Sequence, residues 1–129
     1  MNRNPWLEYA CEDIKAAEVL HERKLYRLSS FHAQQCVEKT LKGILWHLGI
    51  NPPRTHDLVF LYEKVTERYP HFRFDLEALE FLNGLYIESR YPADLGLLPE
   101  GEPTDCDSRK TITIAREILH AALQLLPNP

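Results

Sequence analysis

Several signatures of common protein classes are absent from this sequence. Its three cysteines form no C-x-x-C pair, and their odd number argues against a disulfide framework as well as a zinc site. No apolar run approaches the roughly 18 residues that a membrane span needs, and no apolar signal core follows the first methionine. We therefore expect a cytoplasmic protein with no membrane partner.

The motifs of the commonest nucleotide and metal enzymes are also missing. The chain contains neither a glycine-rich phosphate loop nor an H-E-x-x-H zinc motif. Its net charge of −4 argues against a generally basic nucleic-acid binder, so any phosphate recognition must be local. We expect no bound metal and no cofactor.

Helical periodicity is what the sequence does contain. Its 129 residues, 44% of them hydrophobic, suffice for one domain with its own core but not for two. Prolines and glycines divide the chain into five helical segments, and no strand pattern of convincing length lies between them. The simplest architecture is an all-α, up-and-down bundle of about five helices in a single domain over residues 1–129.

Capping residues and helix breakers predict the bounds of these helices. The first covers residues 5–22, and the second begins at a cap formed by Ser29 or Ser30 and ends near Leu48, with Gly49 after it. The third begins after residues 55–57 and ends at the Tyr69-Pro70 step. The remaining predictions are a helix over residues 75–87, a long loop over 93–103, and a last helix from a Thr104 or Asp105 cap to about Leu126.

Residues 31–42, FHAQQCVEKTLK, are the most informative stretch. At roughly 100° per residue, a helix here separates a core face from a polar column. The core face carries Ala33, Val37, Leu41, Ile44, Leu45 and Leu48. The polar column carries His32, Gln35, Lys39 and Lys42, and Trp46 continues it. The column offers cationic donors to an anion, although spacing alone favours an ordinary solvated face on which Glu38 pairs with Lys42.

Three strings of the sequence, in this order and spacing, resemble one known family. They are residues 31–42, Thr55-His56-Asp57-Leu58 and Ser89-Arg90-Tyr91-Pro92, framed by residues 10–17 and the last helix. Together they resemble the HEPN domain (higher eukaryotes and prokaryotes nucleotide-binding) over nearly the whole chain. The resemblance implies an all-helical bundle, commonly a homodimer, often paired with a minimal nucleotidyltransferase in a toxin-antitoxin arrangement. Some members look like metal-independent ribonucleases, and others look like proteins that bind only nucleotides or other proteins.

The ribonuclease members use an arginine followed by a histidine four to six residues later. Histidine can move protons at the 2′-hydroxyl or the leaving oxygen, while the arginine holds the charge of the phosphoryl group. This chain departs from the pattern, because no histidine occurs in the residues after Arg90 at that offset. Arg27 and His32 have the required offset, but they lie at the entrance to the second helix, and so weak a string is more simply a coincidence. Cleavage is therefore in doubt, whereas binding stays open.

A phosphate-binding site is predicted where the loop after the fourth helix meets the polar column. Its residues are His32, Gln35, Lys39, Lys42, Arg90 and Tyr91. Arg90 would hold a phosphate with its two-pronged guanidinium, and Tyr91 or Trp46 would stack on a base. The alternative for Arg90 is a structural pair with Glu38 or Asp94. If the protein cleaves RNA, the catalytic candidates are His32 as the base and Arg90 as the phosphate anchor.

Other residues of interest have simpler interpretations. His56 stands at a helix start, where a capping role is favoured over an acid-base role. Trp6, Tyr9 and Phe81 fit a core better than a stacking platform. No chemistry is assigned to the histidines that have no convergent carboxylate or cysteine in the sequence, namely His21, His47, His71 and His120.

Two functional classes and a third alternative follow. The first is a binding module that takes a nucleotide or an RNA phosphate and partners a nucleotidyltransferase. The second is a metal-independent endoribonuclease with a non-standard residue set. The third is a helical bundle that only binds other proteins, which would suit the acidic net charge.

Overall fold

The computed structural model describes residues 3–90 and 102–127, except for the side chains of residues 86–90. Regular secondary structure within these residues is entirely helical, which confirms the all-α prediction. The helices are α1 (Pro5–Glu22), α2 (Tyr26–His47), α3 (Leu58–Arg68), α4 (Leu76–Arg90) and α5 (Asp105–Leu125). No helix in the described part of the chain is both long and apolar enough to cross a membrane.

Helix α2 is the centre of the bundle and packs against each of the other four helices. Helix α1 lies along α2, and residues 23–25 form the short connection between them. Short connections are typical of antiparallel neighbouring helices. The predicted core face of α2 is buried, with Leu41, Ile44 and Leu45 among the largest enclosed side chains. The polar column of α2 is thereby placed beside α1 and the start of α3.

Most helix ends carry the caps that the sequence predicts. Asn4 accepts a hydrogen bond from the amide of Leu7, and Pro5 occupies the first turn of α1. Thr104 and Asp107 form a reciprocal capping box at the start of α5. Gly49, with a φ of 79°, lies in the left-handed region just after α2.

Two predicted helix ends are wrong. Helix α2 begins at Tyr26 without a side-chain cap, so Ser29 and Ser30 lie inside it. Ser29 is buried and donates to the carbonyl oxygen of Ala17 at 2.7 Å, which is a bond to a neighbouring helix and not a cap. Helix α4 continues to Arg90, beyond the predicted end at Ile87. The predicted loop over residues 93–103 lies mostly outside the described residues.

Helices α1 and α2 approach each other closely because small residues line their contact. Ala10 and Ala17 of α1 and Ala33 of α2 are fully buried. A Cβ added to Gly43 would stand 3.0 Å from the side chain of Leu7, so any larger residue would crowd this approach. The Asn4 side chain also donates to the Gly43 carbonyl at 2.9 Å. This contact brings polar side chains of α1 onto the column of α2.

Candidate functional site

A buried carboxylate of α1 organises one half of the predicted column. Asp13 accepts a hydrogen bond from Lys39 Nζ at 2.7 Å through one oxygen and from His32 Nδ1 at 2.9 Å through the other. The three groups come from helices α1 and α2, at positions that only the packing of these helices brings together. His32 and Lys39 keep side-chain exposures of 33% and 26%, so both remain reachable from solvent.

A second buried carboxylate, that of Glu38, organises the other half. It accepts hydrogen bonds from Lys42 Nζ at 3.1 Å and from His56 Nδ1 at 2.9 Å. Gln35 Nε2 also approaches it at 3.4 Å. The side chain of Lys42 is only 8% exposed. Lys42 is therefore an enclosed ion-pair partner, which contradicts the solvated face that spacing alone favoured.

These seven side chains form two hydrogen-bonded groups, one around Asp13 and one around Glu38, on successive turns of the same face of α2, and we call the two groups together the polar cluster. Its members are Asp13, His32, Gln35, Glu38, Lys39, Lys42 and His56. Two lysines balance two carboxylates, so the cluster carries no net charge when both imidazoles are neutral. Each imidazole donates Nδ1–H to a carboxylate, which fixes the orientation of the ring.

Gln34 extends the cluster into the bundle with an unusual feature. Its Oε1 accepts a hydrogen bond from Gln35 Nε2 at 2.8 Å, which fixes the amide orientation. Its Nε2 is buried and has no hydrogen-bond partner. Such an unsatisfied donor costs about 1–3 kcal/mol. The Gln34 side chain therefore positions Gln35, while its own Nε2 stays without a hydrogen-bond partner.

Over most of its length, this sequence matches the model of a known protein family. The model of the HEPN domain matches residues 4–125, which include every member of the polar cluster. The chain belongs to the HEPN family. The resemblance carried by the sequence strings is therefore confirmed at the level of the family.

Solved structures agree with this membership. The crystal structure of TT1696 from Thermus thermophilus is similar, with a TM-score of 0.81 and 27% identity over 98% of this chain and 100% of that one. ST0689, an archaeal HEPN homologue, has a TM-score of 0.68 and 26% identity over 97% of this chain and 98% of that one. A search of curated proteins gave no match.

The HEPN fold brings four of the six predicted site residues into the polar cluster. His32, Gln35, Lys39 and Lys42 are all members. Arg90 is the last residue of α4, and its side chain lies outside what the structure describes. Tyr91 lies outside the described residues altogether.

Two members of the cluster, Asp13 and His56, were not predicted as such from the sequence, whereas the expected pairing of Glu38 with Lys42 is confirmed. Asp13 falls on the otherwise apolar stripe of α1, between Ala10 and Ala17, and an acid at a core position is a signal of a buried partner. Glu38 was seen only as a flanking partner of Lys42. His56 was predicted as a cap, but Asp57 is the residue whose side chain accepts from the amides of α3.

A metal centre finds no support in the part of the HEPN domain that the structure describes. No three histidine, cysteine, aspartate or glutamate side chains converge there as ligands. Cys36 is buried on α2, and loss of hydration raises its pKa to about 12. Its thiol is therefore neutral and cannot serve as a nucleophile at neutral pH.

A second histidine network joins the end of α1 to the starts of α2 and α5, and it includes His21, for which the sequence showed no convergent carboxylate. Ser29 donates to Ala17, and Ser108 donates to Ser29 at 2.9 Å. Because each hydroxyl has one proton, His21 Nδ1–H must donate to Ser108, at 2.8 Å. His21 Nε2 faces Asp105 at 3.7 Å.

This Ser-His-Asp grouping is structural and not hydrolytic. Ser108 is fully buried, and its proton is already committed to another hydroxyl. A nucleophile needs access and a neighbouring base that can accept its proton. The hydrogen bond from Arg109 lowers the pKa of Asp105, so this carboxylate stays charged beside His21 at neutral pH.

An apolar groove of about 710 Å³ lies at the end of the bundle that holds the start of α1. Its walls include Leu7, Cys11, Trp46, Leu123 and Leu126. Trp46, predicted to continue the polar column, is thus part of this groove. No member of the polar cluster lines it.

Proposed function

We propose that this HEPN domain binds the phosphate group of a nucleotide or of RNA at the polar cluster. The observation that carries the proposal is the sharing of Asp13 by Lys39 and His32, which holds an ammonium group beside an imidazole ring at the protein surface. Lys39 has three N–H donors and gives one to Asp13, so two remain for an anion. His32 Nε2 lies on the far side of its ring from Asp13.

The predicted residues have different roles in this proposal. Lys39 contacts the phosphate directly, and His32 does so when its Nε2 carries a proton, since both side chains have access to solvent. Gln35 supports the site without holding the ligand, because its amide N–H groups donate to Gln34 and Glu38. Lys42 supports the site from below through its pair with Glu38, since its ammonium is enclosed. The paired carboxylates cancel the two lysine charges, so an additional cation is needed to favour an anion.

Arg90 is the residue we propose for that cation. It ends α4, which packs against α2, and the adjoining Tyr91 belongs to the same proposed site. A guanidinium can hold two phosphate oxygens in a planar, bidentate contact. Membership in the HEPN family supports the further proposal of a homodimer that acts in the cytoplasm. It also supports a minimal nucleotidyltransferase as a partner in a toxin-antitoxin pair.

Calorimetry on the purified protein tests the binding proposal. ATP, GTP and a short single-stranded RNA are titrated at two salt concentrations into the wild type and into the variants Lys39→Ala, His32→Gln and Arg90→Ala. We expect binding that weakens with salt and is reduced in every variant, while circular dichroism shows that each variant stays folded even where the loss of a partner of Asp13 lowers its melting temperature. Absence of binding to all three ligands would overturn the proposal and favour a bundle that only binds proteins.

A second candidate function is metal-independent RNA cleavage, favoured by the hydrogen bond between His32 and Asp13. A carboxylate on Nδ1 stabilises an imidazole that takes up a proton at Nε2. His32 would remove the 2′-hydroxyl proton as O2′ bonds to phosphorus. The bond from phosphorus to O5′ would break, and the departing oxygen would take a proton from water. Incubating the same RNA with wild type and His32→Gln tests this, because cleavage by both proteins alike would exclude His32 as the base.

A further inference from the structure

Tyr9 stands beside the polar cluster with its ring turned to solvent. Its residue exposure is 53%, which contradicts the core position predicted from the sequence. It precedes Asp13 by one helical turn on α1, and the ammonium of Lys39 lies 6.0 Å from its ring centroid. That separation is at the outer limit of a cation–π contact, so the lysine leaves the ring available to another group.

An exposed aromatic ring near a lysine is not enough to define a binding site. Phe60 of α3 is also exposed, with the ammonium of Lys64 at 5.4 Å from its ring. Lys64 pairs only loosely with Glu67, at 3.8 Å on an open helix surface. Tyr9 differs because its lysine is held by a buried carboxylate that also orients His32. The Tyr9 ring, the Lys39 ammonium and the His32 imidazole therefore lie close together on the surface.

We infer that Tyr9 is a base-stacking residue and that the ligand of the polar cluster is single-stranded RNA. The inference rests on the phosphate-binding function proposed above. Within one nucleotide the base is joined to its phosphate only through the sugar, so a phosphate on Lys39 leaves the base within reach of the Tyr9 ring. A base held in a duplex has no free face to offer, whereas an unpaired base does.

The solvent exposure of these side chains favours an RNA strand over a free mononucleotide as the ligand. Tyr9 is exposed, and the side chains of His32 and Lys39 also have access to solvent. A free nucleotide is usually enclosed by a concave site that buries most of its surface. A strand instead accumulates stacking and phosphate contacts along an open surface.

Fluorescence anisotropy with three labelled probes tests the inference. The probes are a single-stranded oligoadenylate of about ten nucleotides, an abasic ribose-phosphate strand of equal length, and the oligoadenylate annealed to its complement. Wild type should bind the single strand more tightly than either other probe. Tyr9→Leu should weaken single-strand binding by about 5- to 150-fold and leave abasic binding unchanged, and Tyr9→Phe should retain it.

Matched variants separate failure of this inference from failure of the proposed function. Phe60→Leu removes an exposed ring under a lysine away from the cluster and should change nothing. Equal binding of the three probes, all weakened by Lys39→Gln, would overturn stacking and leave phosphate binding standing. Stacking would also be overturned if Tyr9→Leu weakened binding to the oligoadenylate and to the abasic strand equally. If no probe binds, the proposed function fails and the stacking role fails with it.

Discussion

Lys24 adopts a backbone conformation that glycine would adopt at lower cost. Its φ of 62° lies in the left-handed region, and no other non-glycine residue of the described chain has a positive φ. The amides of Lys24 and Leu25 bond back to the carbonyls of His21 and Leu20, which is the Schellman arrangement that ends α1. Gly49 holds the equivalent place after α2.

Lys24→Gly should therefore stabilise the protein. Removing the strained Cβ raises the free energy of unfolding by about 1 kcal/mol, after allowing for the greater freedom of glycine in the unfolded chain. The midpoint of urea denaturation measures the change. The control is Gly49→Ala, which should lower the midpoint, and a lower midpoint for Lys24→Gly would contradict the account.

We propose that Lys42 supports the site without holding the ligand, because its ammonium is enclosed and paired with Glu38. Replacing it with alanine leaves Glu38 buried without its lysine, and loss of one partner of a buried pair costs about 3 kcal/mol or more. The double variant Lys42→Met/Glu38→Gln removes both charges and should recover much of this loss. Thermal unfolding distinguishes the two proteins. Unchanged stability of Lys42→Ala combined with lost RNA binding would instead make Lys42 a ligand.

At the scale of elements, the contact of α1 with α2 sets the geometry of the cluster. Gly43→Ala adds a Cβ 3.0 Å from Leu7 and 3.2 Å from the Cβ of Trp6, and the latter cannot rotate away. We expect a loss of about 1–2 kcal/mol, because crowding outweighs the higher helix propensity of alanine. Denaturant titration measures it. A more stable Gly43→Ala protein would show that the two helices can separate at no cost.

At the same scale, sequence periodicity predicted where the helices lie, but the residue at which α2 begins was not predicted. The first helix matches its predicted range because Asn4 and Pro5 act locally. The start of α2 was misplaced because serine is a common cap, whereas Ser29 serves here as a buried link between α1, α2 and α5. Such links depend on tertiary packing, which local patterns do not contain.

At the scale of the whole molecule, the sequence predicted the column and the pairing of Lys42 with Glu38, but not the carboxylate that pairs with Lys39. Column positions follow from the period of one helix, so His32, Gln35, Lys39 and Lys42 could be grouped in advance. Asp13 is 26 residues from Lys39 in the chain, and only the packing of α1 on α2 brings them together. The roles of Arg90 and Tyr91 stay predictions.

Contact between Lys39 and a phosphate is the central claim. The most direct test is the salt dependence of binding to single-stranded RNA, compared among wild type, Lys39→Gln and Lys64→Gln, where Lys64 is an exposed control on α3. We predict that Lys39→Gln lowers the magnitude of the slope of log K against log salt by roughly 1, while Lys64→Gln leaves it unchanged. Identical slopes for all three proteins, or no binding by the wild type, would contradict the claim.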